Sequence, residues 1–253
     1  ITAIGILVLL AIFFVIRTHA IHMKREKADK EIERSEATEV NNKTIFEKCT
    51  LSVIETLHAV HDTYEKAVDG LINEKRNSLK KARKEAKKLN SKVVLLRGSV
   101  HKTVRKLDEE HIDTGHFYIQ VMDYLRETTK GLTYIVTPSF THVDNNHSPL
   151  RDYQIEDLTI FTNQMKNFIA DVINLLSNND FDKIEKIIQR KDEMVDNINK
   201  LKKKQIKMLK KDSAKTKASL LYLEILSESR NLLMYITELI LAEKDFVDYN
   251  NNM

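Results

Sequence analysis

Asp123 and Glu127, and again Glu224 and Glu228, are carboxylates four residues apart. On a helix that spacing puts both side chains on one face. Their oxygens could share a cation there, and oxygen donors suit hard divalent ions and also manganese or iron. Solvated surface acids show the same spacing. Histidines offer a second set of donors. His111 and His116 lie near Glu110 and Asp113, His142 and His147 flank Asp144, and His58 and His61 are three apart. A separation of five is poor for one helix face, and Leu57 and Val60 beside His58 and His61 belong to an apolar stripe. All six histidines therefore read as surface or border residues. Sequences of the HExxH, CxxC, GxGxxG and Walker types are absent. No Ser or Cys nucleophile stands beside an arranged base, so no enzymatic activity is expected. The single cysteine, Cys49, falls on an apolar helical stripe and reads as a small core residue.

The elements that must position these groups are helices. With five Gly, two Pro and no Trp in 253 residues, the chain has few turn signals. Phe46, Cys49, Val53, Leu57, Val60, Tyr64, Ala67 and Leu71 recur in steps of three and four, the seam of a helix bundle. Phe117, Val121, Leu125, Thr128, Leu132 and Ile135 form a second seam, and Ile155, Leu158, Met165, Ile169, Val172 and Leu176 a third. The breaks predict six helices, over about 44–71, 73–107, 108–136, 152–176, 181–211 and 213–247. Both prolines, Pro138 and Pro149, flank a polar stretch that predicts a loop between two halves. Three helices, a loop and three more of similar length suggest a duplication, with short connections making neighbours antiparallel. Charge repeats too. Lys75 to Lys106 holds thirteen Lys or Arg and only Glu85 as an acid, and Lys200 to Lys217 holds nine Lys and only Asp212. These runs suit a solvated face or a contact with anionic lipid headgroups. They lack interleaved aromatics, which argues against nucleic acid as a partner.

The chain begins with ITAIGILVLLAIFFVI, sixteen residues without a charge, followed by Arg17, Lys24, Arg25 and Lys27. A bilayer core needs about 20 apolar residues. No basic segment precedes the run and no small-residue cleavage site follows it, so a signal peptide is disfavoured. The expectation is the C-terminal end of a truncated transmembrane helix at 1–16, with a charged juxtamembrane helix or linker at 17–42. A helical domain then follows at 43–253, with repeats at about 44–137 and 151–248. The basic residues after the run predict contact with the membrane surface and place residues 17–253 in the cytoplasm.

A membrane segment followed by a duplicated three-helix bundle resembles the PhoU-like domain fused to bacterial phosphate transporters. The likeness is carried by TLHAVHDTYEKAVDGLINEKRNSLKKARKEAKKLN, by YIQVMDYLRETTKGL, and by FDKIEKIIQRKDEMVDNINKL leading to LYLEILSESRNLLMYITEL. The stretch TPSFTHVDNNHSPL looks like the inter-repeat loop of inorganic phosphate transporters of the PiT type. The PhoU-like family has an acid-x-x-x-acid motif on the third helix of each triplet. Asp123 with Glu127 and Glu224 with Glu228 fit it, although neither half carries the family's usual Gly-Asp. The resemblance implies an all-α, six-helix fold and divalent or iron-type metal ions at those acids. It also implies regulation of phosphate uptake through an ion-coupled symport domain upstream, at the inner membrane. Partners are then membrane lipid, that missing membrane domain with its inorganic phosphate, and another copy in a homo-oligomer. No phosphate-binding residue is expected in this fragment. The alternatives are the tail of a sodium–phosphate cotransporter of the other class, a membrane-anchored signalling or scaffold protein, and an anchored nucleic-acid binder.

Overall fold

In the computed structural model the described residues are 42–105, 112–210 and 216–251. The apolar run at 1–16 and Arg17, Lys24, Arg25 and Lys27 lie outside them, as do Glu110 and His111. Every long element is a helix: α1 (Asn42–Ile72), α2 (Arg76–Val104), α3 (Ile112–Asp144), α4 (Asp152–Asn178), α5 (Ile184–Leu209) and α6 (Thr216–Asn251), with a 3-10 turn (Phe181–Lys183) leading into α5. Among the described residues no helix is long and apolar enough to cross a membrane.

The seams expected from the sequence become the core. On α1, Cys49, Val53, Leu57, Val60, Tyr64, Ala67 and Leu71 are all buried. So are Val121, Leu125, Thr128, Leu132 and Ile135 on α3 and Leu158, Met165, Ile169, Val172 and Leu176 on α4. Fully burying one such aliphatic chain is worth about 1.5–3 kcal/mol, which outweighs any propensity term along these helices. The most extensive helix pair is α3 with α6, the third helices of the two repeats, and α1 with α4 makes a second contact between the halves. Tyr64 on α1 is fully buried and its hydroxyl shares a 2.9 Å hydrogen bond with that of Ser229 on α6. Burial pushes this phenol up to about 12. The halves are not copies. In the first, α1, α2 and α3 all pack on one another; in the second, α4 meets α6 sparingly and α5 packs on both.

Three helices end the same way. Lys75, His147 and Asp180 each donate a backbone N–H to the carbonyl five residues back, on Gly70, His142 and Leu175. The residues before them, Glu74, Asn146 and Asn179, take the left-handed conformation with φ 51°. This is the Schellman stop, which closes the last carbonyls of a helix. Gly70 lets the first of these turns close tightly, since a Cβ there would stand 2.9 Å from Leu79 Cγ.

The proline-flanked loop is shorter than the sequence suggests. α3 does not end near residue 136 but runs through Pro138 to Asp144. A proline removes one helical hydrogen bond, to the carbonyl four residues earlier. That carbonyl belongs to Tyr134, which is exposed and within reach of water. Nearby hydroxyls reinforce the ladder, with Ser139 donating to the Ile135 carbonyl at 2.7 Å and Thr141 to that of Thr137 at 3.0 Å. Beyond the proline, Phe140, His142 and Val143 are buried, and the Arg83 guanidinium sits 3.8 Å from the centre of the Phe140 ring. Those contacts repay continuing the helix.

Candidate functional site

The acid pairs fall on the third helices, as the motif requires. Asp123 and Glu127 lie on α3, and Glu224 and Glu228 on α6. Their surroundings differ. Asp123 and Glu127 are half-buried rather than open on an exposed face. Arg97, about two turns before the end of α2, donates to Asp123. This pairing holds the Arg97 guanidinium above its ordinary range. Glu127 is approached by Lys130 at 3.2 Å and Arg126 at 3.6 Å. Three cations of the chain therefore surround the first pair.

Among the described residues the second pair engages no base. Glu224 is exposed and Glu228 half-buried. Lys202 reaches across from α5, but to the Ser227 hydroxyl at 2.9 Å. Among the described residues Glu228 accepts only from the Asn231 amide, at 3.4 Å. Partial burial, then the charge of Glu228, raises the Glu224 carboxyl above its usual range. Among the described residues no three of His, Cys, Asp and Glu converge on one point that a metal ion could occupy. A metal cluster of the kind the resemblance implies does not fit these side chains, and Asp123 already has its cation in Arg97.

Two functional candidates escape the sequence reading. His142 is not a border residue: it is buried at 5% exposure, with its Nε2 3.0 Å from the Ser148 carbonyl. Burial is the largest influence on it and lowers its pKa. Its companion is Glu243, fully buried on α6. Thr50 donates to one carboxylate oxygen at 3.0 Å and the Cys49 thiol lies 3.8 Å from the other. Burial pushes Glu243 up to about 7. The Cys49 thiol is itself raised by burial and then by the Glu243 charge, so it stays protonated. The signal for Glu243 was present in the sequence. It continues the register of Ile236 and Ile240, where an apolar residue belongs. One separation, 101 residues, relates Asp123 to Glu224, Glu127 to Glu228 and His142 to Glu243.

The described residues thus define an all-α protein of two three-helix repeats joined through their third helices, with acid pairs on the flanks of the joint. That fold is PhoU-like. The chain is similar to the crystal structure of the phosphate transport system regulatory protein PhoU from Streptococcus pneumoniae, with a TM-score of 0.65 at 14% identity over 81% of this chain and 98% of that one. It is also similar to PhoU from Pseudomonas aeruginosa, with a TM-score of 0.67 at 10% identity over 82% of this chain and 99% of that one. At such identities the likeness is one of fold. No family model and no curated protein matches the chain.

Proposed function

We propose that this chain is the regulatory, PhoU-like part of an inorganic phosphate transport system. It would be the C-terminal piece of a PiT-type transporter whose membrane domain lies upstream. The observation that carries the reading is the backbone likeness to two phosphate-transport regulators, which spans nearly the whole of each. The uncharged run at 1–16 and the basic residues after it support a membrane anchor with the helical domain on the cytoplasmic side. In this reading the domain is not an enzyme. It biases the transporter by docking beneath it, alone or as a homo-oligomer.

Phosphate uptake by the parent protein, with and without residues 43–253, tests the proposal. Uptake that no longer responds to phosphate supply is the expected result. Unchanged uptake with an unchanged response overturns it. A single divalent or iron-type ion, held by two carboxylates and water rather than in a cluster, is proposed at Glu224 and Glu228, which no described base engages, and not at Asp123 and Glu127. Metal analysis of the purified chain checks this: Glu224→Ala should lower the metal content and Asp123→Ala should leave it unchanged.

A further inference from the structure

Lys80, Lys81, Lys84, Lys87 and Lys88 on α2 are exposed, and their side chains make no ion pair or hydrogen bond among the described residues. They differ from several other bases of the run. Arg76, Lys92 and Arg97 each engage an acid, Asp144, Glu55 and Asp123. Glu85, the run's one acid, is held by Lys66 at 2.8 Å, so it does not offset the free lysines. At 100° per residue, Lys80, Lys84, Lys87 and Lys88 share an arc of about 120° with Ser91, Val94 and Leu95. Val94 and Leu95 are large apolar residues left 46% and 42% exposed on that face. From Lys80 to Leu95 the strip is about 22 Å long.

We propose that the outward face of α2 docks on a bilayer containing anionic lipid, with the lysines on headgroups and Val94 and Leu95 entering the interface. The composition fits lipid better than an acidic protein. Protein interfaces are depleted in lysine and anchored by aromatic residues and arginine. This face has neither Trp, Tyr, Phe nor Arg. Lysines beside exposed aliphatics on one helix face match the pattern of interfacial helices. α5 is the internal contrast. Its exposed lysines share the helix surface with exposed Asp192, Glu193 and Asp196, which dilute the positive field. The inference deepens the membrane part of the proposed function and does not depend on phosphate control.

The test uses the full chain with an environment-sensitive fluorophore on Ser91→Cys. Cys49 is buried, so the label goes to the new site. The chain is mixed with vesicles of phosphatidylcholine alone or of phosphatidylcholine with phosphatidylglycerol. Flotation reads the anchor, and the fluorophore reads the α2 face. A blue shift is expected with the anionic vesicles only, reversed by high salt. Each neutralised lysine near an anionic surface lowers binding about fivefold, so the Lys80→Gln, Lys84→Gln, Lys87→Gln variant should reduce the docked population about a hundredfold. Flotation with a silent fluorophore overturns the inference and leaves the anchor standing. A shift without flotation on zwitterionic vesicles supports it and removes the anchor. An equal shift with soluble polyglutamate overturns it in favour of an acidic protein.

Discussion

α3 and α6 are the same helix in two repeats, yet they present opposite electrostatics. They pack on each other along the central seam and carry acids at matching positions. On α3 the acids are held by Arg97 and Lys130; on α6 they face no base among the described residues, and one carboxyl is pushed toward its neutral form. The buried ends differ likewise, with His142 on α3 and Glu243 on α6. Apolar packing that serves both helices is shared, and what varies is the charge each is given. A duplicated fold can therefore keep one core while its two flanks take different partners.

Truncating the core shared by both helices is the harshest test of that comparison. Leu125 on α3 and Leu233 on α6 are fully buried. Leu125→Ala and Leu233→Ala should each cost about 2–5 kcal/mol. In both, chemical denaturation followed by circular dichroism should show one transition for the whole bundle. Two separate transitions would break the comparison, because the halves would then be independent domains.

The buried ends should give opposite pH dependences. Burial pushes the Glu243 carboxyl up to about 7 in the folded chain, above the ordinary 4.5 of a glutamate. The stability it contributes is full below the unfolded pKa and lost as pH rises through 7. Glu243→Gln should therefore be more stable than the parent at pH 8, by about 3 kcal/mol. It should lose the fall in Tm between about pH 4.5 and pH 7. Burial holds His142 below the ordinary 6.5 of a histidine, so its part is present at high pH and lost as pH falls below 6.5. His142→Gln should flatten the acid side of the Tm curve alone. Identical pH profiles for the two variants would contradict the assignment.

The seams and the helices that carry the four acids were legible because apolar spacing reports burial directly. Pro138 misled because a proline's cost depends on whether the freed carbonyl meets water, which only the packed helix decides. Arg97 and Asp123 are 26 residues apart on different helices. Their meeting depends on how α2 lies against α3, and nothing local encodes it. The left-handed stop at Glu74 was equally hidden, since glutamate carries no turn signal, whereas Asn179 announces the matching stop in the second half.

That pair of stops gives the next smaller effect. A left-handed residue other than glycine costs about 1–2 kcal/mol, and asparagine bears it best. Glu74→Asn should stabilise the chain by up to about 1 kcal/mol, and Asn179→Glu should destabilise it by a similar amount. Paired thermal melts measure both. Equal signs would show that the two turns are not equivalent.

The smallest effect tests the opening contrast most directly. Asp123 and Arg97 are each about half exposed, so their ion pair is worth well under 1 kcal/mol. Asp123→Asn should destabilise by a few tenths of a kcal/mol. Like charges at i and i+4 on a helix cost a similar amount, so Glu224→Gln should stabilise by a few tenths. Salt separates the two mechanisms. Added salt screens attraction and repulsion alike. It should shrink the deficit of Asp123→Asn by weakening the ion pair in the parent. It should shrink the advantage of Glu224→Gln by relieving repulsion in the parent. Both differences should therefore approach zero from opposite sides as ionic strength rises. Two curves on the same side of zero would mean that the flanks of α3 and α6 are electrostatically alike.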